Sequence, residues 1–173
     1  MVFTPFTGID DHKKSITFGC AFLTHEDDDS FIWAFQQFLK SMSGKEPNYI
    51  ITDQDKGILN TAQVVFKNAR HCFCMWHIMK NVIDKIGSKI FKDTEFLSRL
   101  NNVVWSVDVE PGEFEENWAK VISEFSLEEN KWLTCKFAER DKWIPAYFRN
   151  VPMGNILKTT QRSEILNSFF KRF

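Results

Sequence analysis

Hydrophobic positions at the start of the chain follow the two-residue period of β-strands and then the period of a helix. Val2–Ile9 is rich in β-forming residues and a polar turn occupies 10–14. Apolar residues then alternate through Ser15–Leu23, which predicts a β-hairpin. A helix is predicted next and Gly44 closes it, because glycine is common just past a helix C-terminus. Its apolar positions are Phe31, Ile32, Phe35, Phe38, Leu39 and Met42.

The pattern continues with two short strands and then becomes helical. Tyr49–Thr52 is predicted as a buried strand, Ile58–Phe66 as a helix and Ala69–Cys74 as a further strand. Beyond His77, four helical stretches are predicted: Ile78–Ile90, Phe96–Val107, a helix that begins at Pro111, and Trp132–Trp143, which continues up to Pro145. The apolar face of the helix that begins at Pro111 consists of Phe114, Trp118, Val121, Ile122 and Phe125. A loop over Met153–Lys158 and a last helix over Glu164–Phe173 complete one α/β unit with a helical insertion.

Composition and charge exclude several classes of protein. The 173 residues are 43% hydrophobic and 26% charged, which is globular composition, and their 18 Phe are suited to a bulky core. The net charge of −1 argues against a general polyanion binder, although basic residues dominate from 131 to 173. No apolar stretch approaches the length of a membrane span, and Met1–Pro5 does not resemble a secretory leader. We therefore expect reduced cysteines in an intracellular compartment.

Two carboxylates stand out, at Asp53 and Glu164. Asp53 follows a predicted buried strand, where open α/β sheets place ligands, but an Asp at that position is also a common helix cap. Glu164 lies near the start of the last predicted helix and alone would be an ordinary first-turn acid. Together in a fold, the two could serve metal-dependent phosphoryl chemistry, because Mg²⁺ takes carboxylate oxygens.

Potential zinc ligands are concentrated between His71 and His77. Cys74 and His77 have Cys-x-x-His spacing, but a structural zinc site needs four ligands and no second compact pair occurs. Buried thiols with a hydrogen-bonded core histidine are the alternative to a zinc site. We predict a structural role for Cys74 and His77, with His77 largely buried beside Trp76 at the start of the next helix.

Four motifs follow one another along the chain: Ile50–Lys56, Cys74–Ile78, Trp143–Arg149, and Thr159–Glu164 with Asn167–Phe170. In this order they resemble the Mutator-like transposase domain. More narrowly, the sequence resembles the plant far-red-impaired-response and far-red-elongated-hypocotyl proteins, which are transcription regulators domesticated from such transposases. The motifs include Trp76, Trp143, Pro145 and Asn167 as expected structural residues.

The resemblance implies a ribonuclease-H-like core with a helical insertion before the last catalytic helix. It divides the chain into an α/β part at 1–77, the insertion at 78–150, and a final loop and helix at 151–173. It also implies a metal-binding triad in which Asp53 matches the second Asp and Glu164 the Glu, with Cys74 and His77 as the signature between them. The first Asp and the first strand would lie upstream of Met1, so we expect a fragment that keeps only part of the triad.

The expected function is that of a non-catalytic fragment of a domesticated transposase, whose intact relatives regulate transcription in the nucleus. A metal-dependent DNA strand transferase and a protein–protein interaction module are the alternatives. The resemblance implies Mg²⁺ or Mn²⁺ only in catalytic relatives and zinc only in finger domains outside these residues, so no cofactor is expected for this chain. DNA contact through those other domains, dimerisation with family members and no membrane association are also expected.

Overall fold

The computed structural model describes residues 1–9, 12, 14–86 and 94–148. The described residues fall into two compact units, one up to Cys74 and the other from Met75 onward. The first is a mixed α/β unit and the second is helical, which confirms the predicted α/β class at this level. Among the described helices, none has both the length and the apolar character needed to cross a bilayer.

The first unit opens with an antiparallel hairpin of strands β1 (Val2–Ile9) and β2 (Ser15–Leu23). Simple alternation along β2 is wrong, because the register shifts between Phe6, opposite Gly19, and Thr7, opposite Thr17. Phe18 is the extra residue of this bulge, and an extra residue moves the following side chains to the other face of the sheet. The Phe18 ring lies so close to Gly8 that a Cβ there would come within 2.5 Å of Phe18 Cε2.

Two helices pack together to form the core of this unit. Helix α1 (Asp28–Ser41) is capped by Asp27, whose carboxylate accepts a hydrogen bond from the Ser30 N–H at 2.9 Å. The end of α1 is closed as predicted: Gly44 has a φ of +76° and donates its N–H to the Leu39 carbonyl at 2.9 Å. The buried residues of the core come from β2, α1, and helix α2 (Lys56–Val65) with Phe66 after it: Leu23, Phe31, Ala34, Phe35, Ala62, Val65 and Phe66.

Helix α2 connects two parallel strands, β3 (Tyr49–Thr52) and β4 (Arg70–Phe73). Tyr49 lies opposite Arg70 and Thr52 opposite Phe73, so the carboxyl ends of both strands meet at one edge. The β3 side chains are only half buried, less than the sequence predicts. Within the described residues, β3 and β4 form a sheet of their own, separate from the hairpin.

The second unit contains four described helices: α3 (Met75–Ile86), α4 (Thr94–Val104), α5 (Pro111–Glu124) and α6 (Lys131–Ala138). The predicted apolar face of α5 is confirmed at its four most buried positions, Phe114, Trp118, Val121 and Ile122. Several predicted bounds in this unit are wrong, among them both bounds of α4. The first helix starts three residues before Ile78, and α6 ends at Ala138, after which short 3₁₀ turns at Arg140–Lys142 and Pro145–Phe148 continue the chain.

Candidate functional site at the end of β3

Asp53 lies directly after β3, as predicted, at the edge where the two parallel strands end. Cys74 follows β4 at the same edge, and its N–H donates to the Thr52 carbonyl at 2.7 Å. Asp53 remains partly exposed, whereas Cys74 is fully buried. The first unit therefore presents a carboxylate at a position where α/β sheets commonly bind ligands.

The helix cap belongs to Asp55 and not to Asp53. The Asp55 carboxylate accepts a hydrogen bond from the Ile58 N–H at 3.1 Å, at the start of α2. Asp53 Oδ1 accepts the Asp55 N–H at 3.2 Å, which holds the turn between strand and helix. Gly57 keeps this turn compact, because a Cβ there would come within 3.2 Å of both Asp28 Oδ1 and Asp55 Oδ1. The alternative interpretation of Asp53 as a cap is therefore wrong.

Because Asp55 caps α2 and Asp53 holds the turn, substitutions of the two residues should lower the free energy of unfolding by different amounts. Asp55→Ala removes the N-cap of α2 and should lower the free energy of unfolding by about 1 kcal/mol. Asp53→Asn keeps a side-chain oxygen that can accept the Asp55 N–H, so its expected effect is smaller. Denaturant unfolding of both variants measures the difference, and an equal or larger loss for Asp53→Asn would contradict the assignment.

A hydroxyl–imidazole pair joins the last residue of β3 to β4, and sequence reasoning missed it. Thr52 Oγ1 donates to the Asp53 carbonyl at 2.7 Å and lies 2.8 Å from His71 Nε2. Because the single Thr52 proton goes to Asp53, the His71 Nε2–H donates to Thr52. Through this pair the Asp53 backbone is linked to the neighbouring strand β4, which holds in place the backbone that carries the Asp53 carboxylate.

The cysteines and histidines between 71 and 77 do not by themselves assemble a metal centre. Burial raises the pKa of the Cys72 thiol to about 11, against a smaller lowering by Arg70, so it is protonated at neutral pH. His77 is half-buried in the first turn of α3, with its Nδ1 inaccessible to solvent and its ring centre 5.1 Å from that of Trp76, which confirms its predicted place beside Trp76. The helix begins two residues earlier than predicted, at Met75. In the part of the chain that is described, no group of three or more potential ligands has a metal-binding arrangement. The signature role of Cys74 and His77 stays a prediction.

Glu164 and Asn167, the other predicted site residues, lie outside the described residues. The expected approach of Glu164 to Asp53 therefore stays a prediction. Of the two carboxylates predicted to bind a divalent metal, the described residues include Asp53 alone, and its carboxylate already accepts one hydrogen bond from the backbone. Binding of a divalent metal at this edge stays a prediction as well.

Trp143 and Pro145 are both buried in the helical unit, and their structural role stays a prediction. Trp143 is 2% exposed, packs edge-on against Trp118, and donates its Nε1–H to the Lys136 carbonyl at 2.9 Å. Pro145 is buried and begins the last 3₁₀ turn instead of simply ending a helix. That turn places Tyr147 beside α5.

Tyr147 closes a three-residue network with Glu115 and Arg140. Its hydroxyl donates to Glu115 Oε1 at 2.6 Å, and Arg140 Nε donates both to Glu115 Oε1 at 2.8 Å and to the Tyr147 oxygen at 2.9 Å. The Tyr147 and Arg140 bonds lower the pKa of Glu115. Burial, with the bond to Glu115, raises the pKa of Tyr147. The network joins α5 to the two 3₁₀ turns, and we expect it to stabilise the fold rather than bind a ligand.

Because of this network, we expect the free energy of unfolding to be greatest at intermediate pH and to fall at both acid and alkaline pH. Because the pKa of Glu115 is lowered on folding, its contribution is present above the ordinary value of 4.5 and is lost as the pH falls. Because the pKa of Tyr147 is raised, its contribution is present below 10.0 and is lost as the pH rises through the folded value. Thermal unfolding measured as a function of pH should show both losses of stability. Tyr147→Phe should lower the free energy of unfolding by about 1 kcal/mol at neutral pH and reduce the loss of stability at alkaline pH. An unchanged profile in the variant would contradict this role.

Comparison with known proteins shows what this chain is similar to. Residues 1–81 match the family model for the MULE transposase domain. The chain is 32% identical to Protein FAR-RED IMPAIRED RESPONSE 1 of Arabidopsis thaliana over 171 residues, 97% of this chain and 20% of that protein. It is 36% identical to Protein FAR1-RELATED SEQUENCE 5 of the same plant over 171 residues, 97% of this chain and 21% of that protein. The chain is thus similar to FAR1-related proteins along nearly its whole length.

The FAR1-related proteins and the domain model match different extents of the chain. The MULE match covers the described residues of the α/β unit, with Asp53 and Cys74, and reaches His77 and the first turns of α3. The FAR1-related matches extend over the helical unit as well, as does a third one, to Protein FAR1-RELATED SEQUENCE 2 of Arabidopsis thaliana, 31% identical over 99% of this chain and 21% of that protein. The chain spans about one fifth of the length of these curated relatives.

Proposed function

We propose that the chain is a non-catalytic domain of a domesticated Mutator-like transposase that serves a nuclear regulator of transcription in plants. The observation that carries the proposal is the match to FAR1-related proteins over nearly all of the chain, helical unit included. A light-response role follows from the name of Protein FAR-RED IMPAIRED RESPONSE 1 and belongs to the proposal.

We also propose that the α/β unit is a ribonuclease-H-like core. In such a core the hairpin and β3 belong to one sheet, with one further strand between them. The separation of the two sheets supports this, because within the described residues β1 has β2 as its sole strand neighbour and β3 has β4. The place of Asp53 at the end of β3, before the helical unit, supports it as well.

We expect no catalysis by these 173 residues on their own, because they contain matches to two acids of the triad. Asp53 and Glu164 match two of the three acids of the transposase triad, and these 173 residues offer no match to the first. Metal-dependent strand transfer needs charge stabilisation on both the attacking and the leaving oxygen, so a missing carboxylate raises the barrier by several kcal/mol. The net charge of −1 also gives the chain little affinity for DNA by itself, and DNA contact is assigned to other parts of the full-length protein.

Plasmid nicking tests this function. The purified chain with Mg²⁺ or Mn²⁺ should leave supercoiled plasmid as intact as the metal alone does, and Asp53→Ala should behave identically. Metal-dependent nicking by the chain that Asp53→Ala abolishes would contradict the proposal and favour the alternative, a DNA strand transferase.

A further inference from the structure

Two adjoining cavities lie between strand β2 and helix α1. The first has a volume of about 280 Å³ and the second of about 360 Å³, and both are lined by Phe22 and Trp33. Because they share these two residues, they form one groove, which we call the β2–α1 groove. The helix side of the groove is a row of residues four positions apart, which therefore lie on one face of α1: Asp29, Trp33, Gln37 and Ser41.

The middle of the β2–α1 groove is aromatic. Phe18 and Phe22 of β2 are 49% and 57% exposed, and Trp33 of α1 is 53% exposed. The Phe18 ring packs edge-on against Phe38 at 6.1 Å, so one side of it is held by the core helix. Soluble proteins seldom expose large apolar side chains next to one another, and such patches commonly mark interaction sites. These rings therefore form a preformed apolar surface that a partner can cover.

The second cavity adds a negative charge to this aromatic surface. Asp29 lines it together with Phe22 and Trp33, and Asp29 is exposed, as are the three acids before it, Glu26–Asp28. The described residues that line the two cavities include no lysine and no arginine. Tryptophan is the ring that attracts cations most strongly, and a carboxylate beside it supplies the opposite charge. The same acids repel the phosphates of a nucleic acid, so charge complementarity favours a cationic peptide.

We propose that the β2–α1 groove binds a peptide segment of a partner protein in which a bulky apolar side chain stands next to a lysine or an arginine. The apolar side chain packs against Phe18 in the first cavity. The cationic side chain enters the second cavity, where it meets the Trp33 ring and the Asp29 carboxylate. Asp53 lines neither cavity, and the inference does not rest on the proposed function.

Selection from a library of random short peptides displayed on phage tests the chemistry of the occupant, with the purified full chain as the target. Sequences that place an aromatic or branched apolar residue beside Lys or Arg should be enriched. Enrichment of purely apolar or acidic sequences, or no enrichment, would show that a different occupant covers the groove and would overturn the proposal.

Titration of the most enriched peptide, followed by fluorescence anisotropy, tests the place of binding. Trp33→Ala and Asp29→Lys should each raise the dissociation constant at least about tenfold. The matched controls are Val64→Ala, at an exposed apolar residue of α2, and Glu128→Lys, at an exposed acid of the other unit, and both should leave the constant unchanged. A wild-type constant in either groove variant, or an equal loss in the controls, would overturn the proposal.

Salt dependence tests the role of the Asp29 charge separately from the shape of the groove. Asp29→Asn keeps the size of the side chain and removes its charge. Because salt screens exposed charge pairs, added NaCl should weaken the wild-type complex more than the Asp29→Asn complex. The same salt dependence in both would contradict recognition of a cation at Asp29.

Discussion

Phe114→Ala should lower the free energy of unfolding of the helical unit by about 3–5 kcal/mol, because it leaves a cavity where three aromatic rings meet. Phe114 is 1% exposed. Its ring centre lies 5.9 Å from that of Trp118, 6.5 Å from that of Phe137 and 6.3 Å from that of Tyr147. The substitution removes packing between α5, α6 and the last 3₁₀ turn at once.

Chemical denaturation followed by tryptophan fluorescence measures this loss, since Trp118 and Trp143 lie in the same cluster. Val64→Ala is the control, because Val64 is 57% exposed on α2 and should cost less than about 0.5 kcal/mol. A loss below about 1 kcal/mol for Phe114→Ala would contradict the packing of these helices.

The strands and helices could be predicted wherever hydrophobic residues kept one spacing, that of a strand or that of a helix, over a long enough stretch. The hairpin, α1 and the apolar face of α5 followed from spacing alone. The bulge did not, because Phe18 continues the alternation of its neighbours and a register shift depends on the partner strand. The early start of α3 at Met75 escaped prediction because apolar residues run through the strand end into the helix.

From the sequence, the candidate site could be predicted only as a carboxylate at the end of a strand. Asp53 and Asp55 are both suited to capping, and only the start of α2 at Lys56 assigns the cap to Asp55. The contact of Thr52 with His71 depends on strand register across 19 positions. The partners of Tyr147 lie 7 and 32 positions away, so the Glu115 bond in particular has no local sequence signal.

The second large effect concerns the distance between Asp53 and Glu164. In a ribonuclease-H-like transposase core, carboxylates that serve two metal ions about 3.5–4 Å apart come within several ångströms of each other. We expect this closeness to persist without catalysis, because in such a core it depends on the end of β3 and on the last predicted helix, and not on bound metal. Cysteines at the two positions should therefore react with one short cross-linker in most molecules.

The most direct measurement is this cross-link in a chain whose two exposed cysteines are replaced, Cys20→Ser with Cys135→Ser. Cys72 and Cys74 are buried and stay in place. Asp53→Cys with Glu164→Cys is treated with a short bismaleimide and compared with Asp53→Cys with Lys171→Cys, which lies about 10 Å further along the predicted helix. The account predicts an intramolecular cross-link, identified by intact mass and peptide mapping, that dominates in the Glu164 pair. Single modification of both cysteines without a cross-link in that pair, or equal yields in the two pairs, would contradict a transposase core built around Asp53 and Glu164.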